Sequence, residues 1–374
     1  MNERERFVGT LLFAEVDRIP LHPGGGRRST LERWHREGLP ENTNPTEQAY
    51  REAGGTEDLP RGGPGFGVDE RMVPQFEEAV LEVRPNSQVV RDWKGNVCEI
   101  GLEYSTEYLR HAIDFVTRRW IRCPVENRDD WEAMKERYDP DAPQRLPDNP
   151  GACAERLAER AYPVVWSFPG PFWQLREWLG FERLCMLFVD DPEWLRDMLR
   201  FWGDYLARLL ENGFRYMSPD MVHLSEDMAY KEHAMISPAM TREFLLPLYR
   251  QWGEIVRANG CPLYAMDSDG HVGELIPVWL EAGINVCDPM EVAAGNDIVR
   301  YRECYGSRMA FQGGVDKRLI AKGGAAIEQE MARLVPVIRS GGYVPSCDHG
   351  VPADVSWPDY VRYVQLLAQA TGWL

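Results

Sequence analysis

Residues 262–290 read PLYAMDSDGHVGELIPVWLEAGINVCDPM. An apolar run, Pro262–Met266, stops abruptly at Asp267, Ser268, Asp269, Gly270 and His271. A helix-like pattern follows, and a second short apolar run, INVCDPM (284–290), ends the segment. Runs this short that are bounded by turn residues read as buried strands, and strand–helix–strand at this spacing means a parallel sheet.

The same alternation recurs along the chain. Further strands are expected at Asp17–His22, YPVVWSF (162–168), DMVHLSED (220–227), RMAFQGG (308–314) and GYVPSCDHG (342–350). Helices lie between them. Ser237-Pro238 and Asp190-Asp191-Pro192 are N-terminal caps with proline in the first turn, and residues 28–37 also read as a helix. No dinucleotide fingerprint opens any unit, so a TIM-type (β/α)8 barrel is favoured over an open doubly wound sheet, with the eighth strand unplaced. Residues 1–374 then form one domain. Within it, about 41–125 is an elaboration of loops and β-hairpins. RGGPGFG (61–67) lacks the Lys-Ser/Thr of a phosphate cradle and reads as a turn region. Short β-like runs follow over 78–122, with a hairpin turn at Asp92–Asn96.

Composition narrows the function classes. Hydrophobic residues make up 44%, charged residues 27%, and the mean hydropathy is −0.43, as in a globular protein. No apolar run is long enough to span a bilayer, and the charged N-terminus lacks a signal-peptide core, so a cytoplasmic protein is expected. A net charge of −17 repels nucleic acid and anionic membranes. The eight cysteines have irregular spacing and no Cys-x-x-Cys pair, which predicts reduced, mostly buried thiols.

In a barrel, chemistry is built where strands end. The expected ends supply His22 with Arg27 and Arg28; Ser167 with Trp173; Glu226, Asp227 and Tyr230; Asp267, Asp269 and His271; Asp288; Asp316; and Cys347 with His349. Asp267 and Asp269 lie two apart on a strand and therefore share a face. Acids, imidazole and a thiol on one rim could hold a divalent metal, zinc first because of the thiolate. The bland alternatives are a turn at Asp269-Gly270 and a helix cap at Asp267.

The segments EDMAYKEHAMISPAMTREFLLPLY, DSDGHVGELIPVWLEAGINVCDPMEVAAGND, GGVDKRLIAKG and GGYVPSCDHGVPADVSWPDYV together resemble the uroporphyrinogen decarboxylase superfamily, most strongly over 162–374. The resemblance implies a barrel with a deep C-terminal cleft. Its corrinoid-linked methyltransferase branch holds zinc through a His-x-Cys-Gly element and a later Cys-Gly. Here the first element reads Asp267-Ser268-Asp269-Gly270, and the second falls on His349-Gly350 with Cys347 two residues earlier. Its decarboxylase branch needs no metal and carries an Arg-Gln-Ala-Gly-Arg element, replaced here by Pro23-Gly24-Gly25-Gly26-Arg27-Arg28.

The resemblance leads to a divergent, methyltransferase-like enzyme. It would act on a small molecule with a corrinoid supplied by a partner protein. The expected roles are catalysis for Glu226, Asp227, Asp288 and His349, and substrate binding for His22, Arg27, Arg28, Trp173, Tyr230 and Asp316. A metal would rest on Asp267, Asp269, Cys347 and His349. The alternatives are a decarboxylase of a porphyrinogen or other small acid, without cofactor, and a non-catalytic barrel that binds a metabolite or corrinoid protein. A homodimer is a further expectation.

Overall fold

The computed structural model describes residues 1–111 and 116–374. Part of the strand-like run 114–121 lies outside them. Four strands, β1 (Ala79–Val83), β2 (Ser87–Arg91), β3 (Val97–Gly101) and β4 (Arg119–Arg122), form an antiparallel sheet in that order. This is the hairpin elaboration. Its Asp92–Asn96 turn is fixed by the Asp92 carboxylate, which accepts from the backbone N–H of Lys94 and of Asn96, both at 2.9 Å.

Six strands build the second sheet: β5 (Val165–Pro169), β6 (Met221–Ser225), β7 (Leu263–Asp267), β8 (Val286–Asp288), β9 (Ala310–Val315) and β10 (Tyr343–Cys347). They pair in sequence order and all in parallel. A doubly wound sheet reverses strand order at a switch point, and this sheet does not. Helices cover the outside. Pro192–Phe214 is capped by Asp191, whose side chain accepts from Trp194 N at 3.1 Å, and Ser237 accepts from Met240 N at 3.1 Å. The single helix expected after Ser237 is broken by a π turn at Thr241–Leu245. Pro247, just beyond it, lacks an N–H and crowds the carbonyl one turn back.

The first expected strand, Asp17–His22, is not a ladder strand. Residues 17–26 do run beside β10: Cys347 N donates to Pro23 O at 3.2 Å and Val351 N to Gly25 O at 3.0 Å. Only Gly26 and Val351 form a bridge, and it is parallel. Two prolines without N–H groups and a triple glycine account for the irregularity. At the other edge, residues 61–72 pass β5 as coil, with Phe66 5.9 Å from the Trp166 ring. Ladder hydrogen bonds among the described residues therefore do not close the barrel.

Alternation along the strands separates inside from outside. Met221, Leu263, Ala265, Val286, Ala310 and Val344 cluster with Phe7 and Leu11 of the helix Glu3–Leu11. This helix plugs the N-terminal mouth. The opposite faces carry Trp166, Val222, Tyr264, Cys287, Phe311 and Tyr343, which join the larger core beneath the helices. With the floor filled by apolar side chains, the inward positions nearer the C-terminal rim are left for polar ones. No helix is long and apolar enough to cross a membrane among the described residues. All eight cysteines are unpaired; Cys304 is exposed, Cys185 half-buried and the rest buried.

Candidate active site

Register brings the inward groups together. Ser225, Asp267 and Asp288 are successive lateral partners at the ends of β6, β7 and β8. One step below, His223 pairs laterally with Ala265. Alanine is too small to block the way, and the imidazole reaches across β7. Its Nε2 lies 3.1 and 3.3 Å from the two Asp288 carboxylate oxygens. Gln312 Nε2 donates to Asp288 Oδ2 at 3.4 Å, and Ser167 Oγ lies 3.5 Å from His223 Nδ1.

The electrostatics of this cluster are those of a proton store. Burial disfavours the His223 cation, but the charge and hydrogen bond of Asp288, with the charge of Asp267, outweigh burial and raise its pKa to about 9. Asp267 is pushed upward from the usual carboxylate range by burial and by the charge of Asp288; His223 opposes this, and Asp269 adds to it. Both shifts favour the protonated form, of His223 and of Asp267.

A second pair stands higher on the rim. His349 Nε2 lies 3.3 Å from Asp269 Oδ2, whose side chain is 41% exposed. The Asp269 hydrogen bond raises the His349 pKa against burial. Gly270 makes the turn with φ +81°, and a Cβ there would meet Ala229 O at 2.4 Å. Beneath the rim, Lys317 Nζ pairs with Glu291 at 3.1 Å, Gly270 N donates to Glu291 at 3.2 Å, and Asp348 accepts from Val292 N at 2.8 Å. These bonds tie the rim loops to one another.

Several expected site residues lie elsewhere. Glu226 follows the last residue of β6 and faces outward. It is fully buried, accepts from Trp173 N at 2.9 Å and from the Tyr249 hydroxyl, and burial raises its pKa to about 7. It caps the helix Pro171–Leu179, and Gly170 leaves it room: a Cβ there would sit 2.2 Å from the Glu226 carboxyl carbon. Cys347 also faces outward, opposite in phase to the inward Val344 and Ser346, and burial pushes its thiol up to about 12. Asp316 caps the helix Lys317–Lys322 and grips Arg318 at 2.8 and 2.9 Å. Asp227 pairs with Arg176 at 3.0 Å, beside an exposed Tyr230. His22 opens onto a second cavity of about 1000 Å³, with Glu3 3.7 Å away. Arg28 pairs with Glu32 at 2.8 Å on the surface, while a Cβ on Gly350 would lie 3.3 Å from Arg27 Nε, near His349.

The metal set expected from the sequence does not assemble. Cys347 points away from Asp267 and Asp269, and among the described residues no three His, Cys, Asp or Glu side chains converge as a ligand group. His223 is the residue that sequence reasoning missed. Its signal was period two: Met221, His223 and Ser225 share one face.

A cavity of about 330 Å³ adjoins this cluster, under the Asp92–Asn96 turn. Ser167, Ser225 and Trp173 form its wall on the barrel side, and Glu70, Trp93, Lys94 and Glu177 lie among its other lining residues.

An ordered parallel α/β sheet, with its polar cluster at the C-terminal rim and its floor plugged, places the protein in the TIM-barrel-like class. The family model for uroporphyrinogen decarboxylase (URO-D) matches residues 113–367, and the chain belongs to that family. No curated protein matches the chain by sequence. Among solved structures, a methyltransferase from Methanosarcina mazei is similar over 100% of this chain and 98% of its own, at 16% identity and a TM-score of 0.60, which shows the shared fold. A B12-independent methionine synthase from Shewanella sp. W3-18-1 matches over 60% of this chain and 65% of its own, at 11% identity and a TM-score of 0.37.

Proposed function

We propose that the protein is a methyltransferase-like member of its family. It moves a methyl group from a small neutral or cationic substrate to a corrinoid carried by a partner protein, with His223 as the acid. The observation that carries this reading is the His223–Asp288–Asp267 cluster: a stored proton in an acidic cleft. Asp267, Asp269 and Asp288 face histidines or one another, whereas Asp227, Asp316 and Glu291 pair with Arg or Lys. A merely structural rim would neutralise all six in the second way.

A corrinoid supplies a cobalt centre that exchanges methyl groups; the rest falls to this chain. The bond between the substrate heteroatom and its methyl group breaks, and its electron pair stays on the heteroatom. The His223 Nε2–H gives that atom a proton, and the neutral imidazole recovers one from solvent through the Asp267 carboxyl. The soft ligands of the methyltransferase branch's zinc site are replaced here by carboxylates, and the steps assigned to this chain's own residues are proton transfers. The exposed Asp269 at the mouth leaves the cleft accessible to a carrier.

A decarboxylase would share the stored proton, but it needs cations to hold substrate carboxylates. Of the two expected arginines, Arg28 is paired on the surface and Arg27 sits at the rim beside Gly350. Methyl transfer to a corrinoid protein, compared between the wild type and His223→Asn, tests the proposal.

A further inference from the structure

The cavity under the Asp92–Asn96 turn is lined by charged groups that are almost all matched. Lys94 Nζ lies 2.8 Å from Glu177. Arg71 grips Asp69 at 2.6 and 2.9 Å. The buried Arg145 nearby donates to the backbone carbonyls of Asp69, Arg71, Arg137 and Asp139. Glu70 differs: among the described residues its carboxylate makes no direct ion pair, accepts from its own backbone N–H and feels the charges of Arg71 and Lys94 only from beyond ion-pair distance, while burial raises its pKa. A half-buried carboxylate without a direct ion pair is stabilised by a cation that fits beside it.

The remaining wall is apolar and aromatic. Trp93 and Trp173 border the cavity, and each holds a guanidinium over its ring, Arg110 at 4.7 Å and Arg176 at 4.4 Å. Phe168 and Met72 add aliphatic and ring surface. A carboxylate without a direct ion pair beside indoles is the chemistry that recognises an alkylated ammonium group. A space of about 330 Å³ suits a small ligand of that kind.

We infer that this cavity seats an alkylammonium group of the substrate, with Glu70 as its counter-ion and Trp93 and Trp173 as its wall. The inference rests on the methyl-transfer reading, because Ser167 and Ser225 connect the cavity to His223. It adds the substrate class: a small molecule that carries an ammonium group apart from its methylated heteroatom.

Calorimetric titration of the full-length protein with choline, and with its uncharged isostere 3,3-dimethylbutan-1-ol, tests it without any variant. Choline should bind about tenfold more tightly than the isostere. Equal binding of the two, or no binding of choline at millimolar concentration, overturns the inference. Glu70→Gln should weaken choline about tenfold and leave the isostere within about twofold; an unchanged choline affinity in a folded variant also overturns it. His223→Asn should bind choline as the wild type does. Choline binding without methyl transfer would remove the functional reading and keep the site, and transfer without choline binding would do the reverse.

Discussion

Replacing Asp288 by Asn removes one charge and leaves the shape of the cluster nearly intact. His223 then loses the neighbour that contributes most to its cationic form, while burial still opposes that form. Its pKa should fall from about 9 to the ordinary 6.5 or below. At about 1.4 kcal/mol per pH unit, the rise from 6.5 to about 9 corresponds to about 3 kcal/mol of coupling. The sign follows from the direction. A histidine with a raised folded pKa stabilises fully below its unfolded value near 6.5, and that stability is lost as pH rises through about 9. Asp288→Asn should therefore be less stable than the wild type at pH 6, with the gap shrinking toward pH 9.5. Histidine Cε1 resonances of ¹³C-labelled protein, followed from pH 5 to 10 and assigned through a His223→Gln variant, read the change directly. A wild-type His223 that titrates near 6.5, or an Asp288→Asn variant that still titrates above 8, would refute the coupling.

Asp267→Asn removes an acid whose folded pKa is raised above its ordinary 3.8, so it should gain about 1–2 kcal/mol at pH 8, and the gain should shrink through pH 5 and vanish only below pH 3.8; chemical denaturation across this pH range checks this. Tyr249→Phe leaves the buried Glu226 short of a hydroxyl donor and should cost about 1–3 kcal/mol in urea denaturation while methyl transfer stays within about twofold. Gly270→Ala forces a side chain into a left-handed turn against Ala229 O, and should destabilise the protein by about 2 kcal/mol or more in the same assay.

The parallel sheet was legible because its apolar runs are short and regularly spaced, and because Asp191 and Ser237 mark helix starts by local chemistry. The first strand was misread for a local reason too: Pro20 and Pro23 remove ladder donors from an otherwise apolar run. The site was legible to the nearest strand end, but not to the face. Glu226 and Cys347 sit one residue out of phase with Ser225 and Ser346, and one residue of offset moves a side chain from the cleft to the outer core. His223 stayed hidden because it lies one layer below the residues that end the strands. Its partnership with Asp288 depends on Ala265 being small, and that is a relation across three strands which no single segment contains.

The most direct test of the His223 centre is the rate of corrinoid methylation, followed by its absorbance change. The full-length protein is mixed with a partner corrinoid protein and a methylated substrate bearing an ammonium group. Wild-type protein should methylate the corrinoid, and His223→Asn should do so about a hundredfold more slowly at pH 7.5 with its substrate affinity retained. A His223→Asn rate within about threefold of the wild type, or carbon dioxide release from a small acid in place of methyl transfer, would contradict the role given to His223.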